Sequence, residues 1–249
     1  MPQFQIFDDR QIQSLRKGGK ILRECLTYVA KLVAPGITTK ALDNAAETFI
    51  RDHGGLPGFK GYKGFPATLC TSVNEECVHG IPGERLLKEG DIISLDAGVL
   101  LDDLYTDACI TVAVGEASPD ALRLIQYTDD ALVAALRVIR TGIHIGDISA
   151  AIQEIVEGGG YTVLRALTGH GLGTNLHQYP DIPNFGASGK GPTIPFHTIL
   201  AIEPIVSAGK SSGITEGGDG WTLKTKDGAL SAHMEHTVLI IQNGCEILA

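Results

Sequence analysis

The sequence predicts an α+β fold organised as one continuous domain over residues 1–249. Three observations carry that prediction. Several long stretches place apolar residues three and four apart, as helices with one buried face do. A β-prone segment with a polar centre, residues 92–114, reads as two antiparallel strands joined by a turn. Neither a low-complexity linker nor a short-period repeat divides the chain.

Taken in order, Asp8 or Asp9 caps a first helix that carries Ile12, Leu15, Leu22, Cys25, Leu26, Val29, Leu32 and Val33 until Ala34-Pro35-Gly36 stops it. Its apolar stripe requires a sheet or a second helix to cover it. A second helix starts near Thr38 or Thr39 and runs through Leu42, Ala45, Phe49 and Ile50 to Gly54. A glycine- and aromatic-rich loop follows, from Gly55 to Thr71. The hairpin comes next, its turn within Leu101-Asp102-Asp103. A third helix has Ser118 as N-cap, Pro119 at its first position and Gly142 just past its end. The fourth runs from Asp147 to Gly158-Gly159-Gly160. Tyr161 to Leu167 reads as strand-like, and Thr198–Ser207 and His236–Ile241 read as strands.

Composition removes whole classes of function. Hydrophobic residues make up 43% and charged residues 20%, which excludes disordered and fibrous chains. A formal net charge of -9 without a cluster of Lys and Arg argues against nucleic-acid binding, which needs cations to displace phosphate counterions. Five scattered cysteines without a C-x-x-C pair suggest reduced thiols rather than a disulfide framework or zinc ribbon. No apolar run approaches the roughly 20 residues that span a bilayer, and the acidic start does not read as a signal peptide. A cytoplasmic protein without membrane partners is the expectation.

Certain residues carry chemistry. With the turn centred on Leu101-Asp102, Asp96 falls opposite Asp107, two carboxylates on one face about 5 Å apart. Like charges placed so are destabilising and call for a cation. Two plainer readings stand beside this: one aspartate belongs to the turn, as Asp102 and Asp103 do, or the register differs by one. His170 lies between Gly169 and Gly171, where the backbone can approach a ligand closely, although a satisfied structural histidine is the commoner case. Glu203 and Glu235 are embedded in apolar runs, where an unpaired ionised side chain facing the core costs several kcal/mol. Each alone could point to solvent from an edge strand. Together, four carboxylates and one imidazole suit two divalent ions such as Mn, Fe, Co or Zn.

Six stretches go beyond composition: VNEECVHGIP at 73–82, GDIISLDAGVLLDDLYTDACITVAVG at 90–115, GHGLGTNLHQYP at 169–180, AIEP at 201–204, DGWTLKTKDG at 219–228 and SAHMEHT at 231–237. In these the chain resembles the type I methionine aminopeptidases. The resemblance implies a pita-bread fold, an antiparallel sheet with helices packed on its outer face. It implies removal of the initiator methionine from nascent proteins, where the second residue is small, by metal-assisted attack of water on the first peptide bond. Asp107 and Glu235 would bridge two divalent ions (Co, Mn, Fe, Zn or Ni), Asp96 would complete one site, and His170 with Glu203 the other. Glu203 would also act as general base, His177 would polarise the scissile carbonyl, and His79 would contact the scissile amide. Phe59, Tyr62, Phe65, Cys70, Leu176 and Trp221 would form the methionine pocket. The implied partners are nascent N-termini, at the ribosome among other places, and the implied state is a monomer. The chain's own Met1-Pro2 start has a small second residue.

Four departures from the family pattern stand out. Gln178 replaces a common glutamate, Leu176 a common aromatic and His233 a frequent glutamine, and GPTIPFHTILAIEP departs from the usual approach to AIEP. None removes a ligand. Two competing readings are a proline-specific relative such as a prolidase, which usually has an added N-terminal domain, and a non-catalytic pita-bread protein, which typically loses ligands. The type II insertion is absent, since only residues 204–234 separate Glu203 from Glu235.

Overall fold

The computed structural model describes residues 3–249, so the Met1-Pro2 start lies outside the described residues. Helix α1 spans Asp9–Ala30, with Asp8 and Gln11 in a reciprocal capping box. Helix α2 spans Thr39–Asp52 and is capped by Thr38. Helices α3 (Pro119–Val138) and α4 (Ile145–Gly158) pack on each other. Among the described residues no helix is long and apolar enough to cross a membrane.

A nine-stranded antiparallel sheet forms the body of the molecule. From one edge it runs Leu56–Pro57, Ile92–Leu101, Leu104–Ala113, Glu235–Ile241, Ile199–Ile202, Thr168–Gly171 and Gln178–Pro183. Leu69–Val73 also pairs with Ile92–Leu101, and Gly244–Ile247 with Glu235–Ile241. Side-chain alternation decides what each face meets. Ile93, Leu95, Ala97, Val99 and Ala108 pack against Leu22, Leu26 and Val29 of α1 and Leu42, Ala46 and Ile50 of α2. Farther along the sheet, Leu200, Ile202, Val238 and Ile240 pack with Leu124, Leu132, Ile148 and Ile152 of α3 and α4. The helices therefore cover one face, which fits the pita-bread architecture. Ser94, Asp96 and Gly98 necessarily project from the other.

The hairpin register differs from the expected one. Asp102 and Asp103 form the turn with φ of 51° and 60°, and Leu101 pairs with Leu104. Two positive φ values match the twist of the flanking strands, and aspartate tolerates them. Asp96 is consequently opposite Cys109, and Asp107 opposite Gly98. Every partner moves by two positions. A slip of one would have sent Asp96 and Asp107 to opposite faces, whereas a slip of two keeps them together as diagonal neighbours.

Other boundaries shift for identifiable reasons. Thr198–Ser207 is two strands, Ile199–Ile202 in the large sheet and Ile205–Ser207 in a three-stranded one, broken at Glu203-Pro204. Proline has no N–H to continue the ladder. Helix α3 stops at Val138, before Gly142, because Ile139 turns into the core and Gly142 N donates to the Ile194 carbonyl at 2.9 Å. Helix α4 begins two residues earlier than Asp147, whose carboxylate accepts from His144 N at 2.9 Å. Of Tyr161 to Leu167, only Thr162–Val163 is strand, and Leu167 N bonds back to Leu164 O in a turn.

Candidate active site

Asp96, Asp107, Glu235, Glu203 and His170 come from five consecutive strands of the large sheet, or in the case of Glu203 from the residue directly after one. Asp96 and Glu235 both pair with Cys109, so the three lie in one row across the sheet. All five side chains are buried, Glu235 to 2% exposure. Ligand atoms of Asp107, His170 and Glu235 lie within 4.8 Å of one another. His170 Nε2 stands 3.4 Å from Glu203 Oε1 and 4.0 Å from Asp107 Oδ2. The Gly171 carbonyl lies 3.0 Å from His170 Nδ1. If Nδ1 carries the proton, Nε2 presents its lone pair to the carboxylates.

No Lys or Arg pairs with these four carboxylates among the described residues; the recorded ion-pair partners are histidines. Asp96 Oδ1, Asp107 Oδ1 and Glu235 Oε1 are buried without a hydrogen-bond partner. Burial pushes Asp96 up to about 7. It also raises Asp107, Glu203 and Glu235 well above the carboxylate range, each further raised by a neighbouring carboxylate. Orphaned, dry, mutually repelling oxygens beside an imidazole fit divalent cations and leave the metal-free protein strained.

A pH dependence follows for metal-free protein. The folded state retains protons that the unfolded chain, with carboxylate pKa values near 4, has already released. Stability is thus greatest below about pH 4 as far as these groups are concerned, and falls as pH rises through about 7, the Asp96 value. Thermal unfolding of chelator-stripped protein from pH 4.5 to 7.5 should show a loss of roughly 2 to 4 kcal/mol, on the order of 5–10 °C. Saturating Mn or Co should flatten it. A metal-free Tm that stays level across that window contradicts the strained-cluster account.

An aromatic cavity of about 190 Å3 opens beside the cluster. Phe59, Tyr62, Phe65, Cys70, Leu176 and Trp221 line it. Its volume is below that of ordinary drug-sized ligand pockets, so it suits a single side chain. Gly98 leaves the room that Phe59 fills: a Cβ there would stand 2.7 Å from the Phe59 ring. Asp43 on α2 anchors the end of the aromatic loop by accepting from Thr68 N and Leu69 N at 2.8 Å each. Asp219 accepts from Trp221 N and Thr222 N, which sets the turn presenting Trp221. Trp221 meets Phe65 edge-on at 5.2 Å. The Cys70 thiol is held well above its ordinary pKa by burial and by the charge of Asp96.

Two more histidines face this space. His79 holds a left-handed φ of 59°. Thr71 N donates to Gly80 O at 2.7 Å, tying the His79 loop to Leu69–Val73. His177 stacks on Tyr62, its Nδ1 3.2 Å from the phenol oxygen, and its ring lies 4.3 Å from that of His170. Loss of solvation lowers the pKa of both His79 and His177. Gln178 Nε2 donates to Gln5 Oε1 at 2.8 Å and its Oε1 accepts from Asn175 N, so this loop is braced by a neutral amide pair.

The chain's sequence matches the profile of metallopeptidase family M24 over residues 13–242. The chain belongs to this family. Within M24 it falls among the methionine aminopeptidases. The enzyme of that name from Clostridium acetobutylicum is 46% identical over 244 residues, 98% of this chain and 97% of the relative. Methionine aminopeptidase 1 of Bacillus subtilis is 44% identical, over 96% of each chain. The crystal structure of methionine aminopeptidase from Thermotoga maritima superposes with a TM-score of 0.97 at 41% identity, covering 99% of each chain. A prolidase from Pyrococcus horikoshii shares the fold alone, with a TM-score of 0.80 at 17% identity, and this chain covers 62% of it. As an M24 metallopeptidase the chain is a hydrolase that uses divalent metal.

Lys63, Val78 and His233 also line the cavity, although the sequence did not mark them as site residues. For His233 a signal existed. It precedes Glu235 by two in a β-prone run, although Met234 separates the strand Ser231–His233 from Glu235–Ile241.

Proposed function

We propose that this chain removes the initiator methionine from nascent polypeptides whose second residue is small, with Asp96, Asp107, His170, Glu203 and Glu235 holding two divalent ions. The supporting observation is the convergence of five buried donors from adjacent strands at the end of a one-side-chain aromatic cavity. In this reading Asp107 and Glu235 would serve both ions, Asp96 would belong to one, and His170 with Glu203 to the other. The ions, when bound, supply Lewis acidity toward the attacking water and the scissile carbonyl.

The protein's own groups do the rest. Phe59, Tyr62, Phe65, Cys70, Leu176 and Trp221 enclose the methionine thioether, an unbranched and polarisable chain suited to an aromatic slot. Leu176, buried, forms part of the wall of that slot. Glu203, buried with Oε1 3.4 Å from His170 Nε2, takes the proton of the attacking water. His177 donates to the carbonyl oxygen as charge develops there, and His79 contacts the amide nitrogen. A monomer acting in the cytoplasm, at the ribosome among other places, fits this role and the five unbridged thiols.

Release of amino acids from Met-Ala-Ser and from an Xaa-Pro peptide tests the reading. With Mn or Co the protein should release methionine from the first, leave the second intact when its Xaa is a residue other than methionine, and lose activity to a chelator. Folded protein that releases nothing under any divalent metal would refute the assignment; cleavage confined to the Xaa-Pro peptide would move it to the prolidase class.

A further inference from the structure

His233 occupies a place that a structural histidine does not explain. It is 2% exposed, lines the cavity, and neither ring nitrogen has a hydrogen-bond partner. A buried imidazole left so loses about 1 to 3 kcal/mol. Its backbone is pinned, because Thr111 Oγ1 accepts from His233 N at 2.9 Å and donates to His233 O at 2.7 Å. That fixed ring sets Nε2 3.6 Å from Glu203 Oε2 and 3.7 Å from Glu235 Oε2.

Those separations are too long for hydrogen bonds. They fall between the 3.4 Å and 4.0 Å at which His170 Nε2 faces Glu203 and Asp107. Each oxygen of Glu203 thus has an imidazole nitrogen on its flank, His170 at Oε1 and His233 at Oε2. We propose that His233 is a sixth donor of the metal centre, its Nε2 joining Glu203 and Glu235 around a divalent cation. This rests on the five-residue metal reading above and extends it. A second neutral nitrogen in an otherwise oxygen set moves preference from Mn towards Fe, Co and Zn.

The test uses chelator-stripped protein reloaded with Mn(II) alone, with pulsed EPR counting the imidazole nitrogens on the ion. Wild type should show two and H233Q one. Calorimetric titration with Co(II) and Mn(II) should find the Co-over-Mn affinity ratio reduced about tenfold or more in H233Q. One nitrogen in the wild-type protein overturns the proposal while leaving the five-residue reading intact, and this measurement needs no variant to fold. Two nitrogens persisting in H233Q overturn it as well. Folded wild-type protein that binds no Mn(II) or Co(II) overturns both.

Discussion

Replacing Glu203 by Gln should lower kcat for a Met-Ala-Ser peptide by about 10³-fold or more, while making the metal-free protein more stable. The two effects share one cause. Glu203 is buried beside His170 and within reach of His233, and its backbone is held where Asn184 Nδ2 donates to Glu203 O at 2.8 Å. The side chain is therefore placed by the fold rather than by its own charge. Glutamine keeps that shape. It loses the base, weakens a metal ligand, and removes one buried carboxyl group whose ionisation is opposed by burial and by Asp96. At pH 8 the stripped variant should unfold about 1 to 3 kcal/mol less readily than stripped wild type. Steady-state kinetics and calorimetry on the same preparations check both. A rate within tenfold of wild type removes Glu203 from the proton transfer.

His177→Ala should reduce kcat by about 10²- to 10³-fold and leave metal content and Tm near those of wild type. Among the described residues His177 makes no hydrogen bond or ion pair with the carboxylates. Its ring packs between Tyr62 and His170, and the Tyr62 phenol lies 3.2 Å from Nδ1. When the phenol donates to Nδ1, the imidazole proton sits on Nε2, available to the substrate carbonyl. Its lowered pKa keeps the ring neutral through neutral pH. Such a donor acts mainly in the transition state, so KM should change far less than kcat. His79→Ala should behave similarly but through the amide side. Metal analysis by mass spectrometry separates both from a ligand loss; a His177→Ala protein that turns over at wild-type rate sinks the role.

The hairpin shows how much the sequence could yield. Its pattern identified two strands, a turn within Leu101-Asp102-Asp103 and two aspartates on one face. The register was out by two because the turn's centre depends on which residues accept positive φ, and Asp102-Asp103 does so where Leu101-Asp102 would not. The face survived because side-chain direction repeats every two residues. Glu203-Pro204 is the reverse case. An apolar run with a glutamate reads as one strand, yet the proline hands the chain from one sheet to another and leaves Glu203 at the junction.

By itself the sequence marked the helices, through apolar spacing and through the cap candidates Asp8 or Asp9, Thr38 or Thr39, and Ser118, since these are local preferences of the backbone. It also determined, through ordered motifs, the resemblance that named the candidate residues. Only the tertiary structure decided that Asp96, Asp107, Glu235, Glu203 and His170 arise from neighbouring strands, because strand order in a sheet is not the order of the chain. It alone brought the Phe59 loop and Trp221 to one cavity, and left His233 buried with both nitrogens unpartnered beside two carboxylates. Those are long-range packing outcomes. A residue's own neighbours in sequence carry no information about which distant side chains will share its desolvated space.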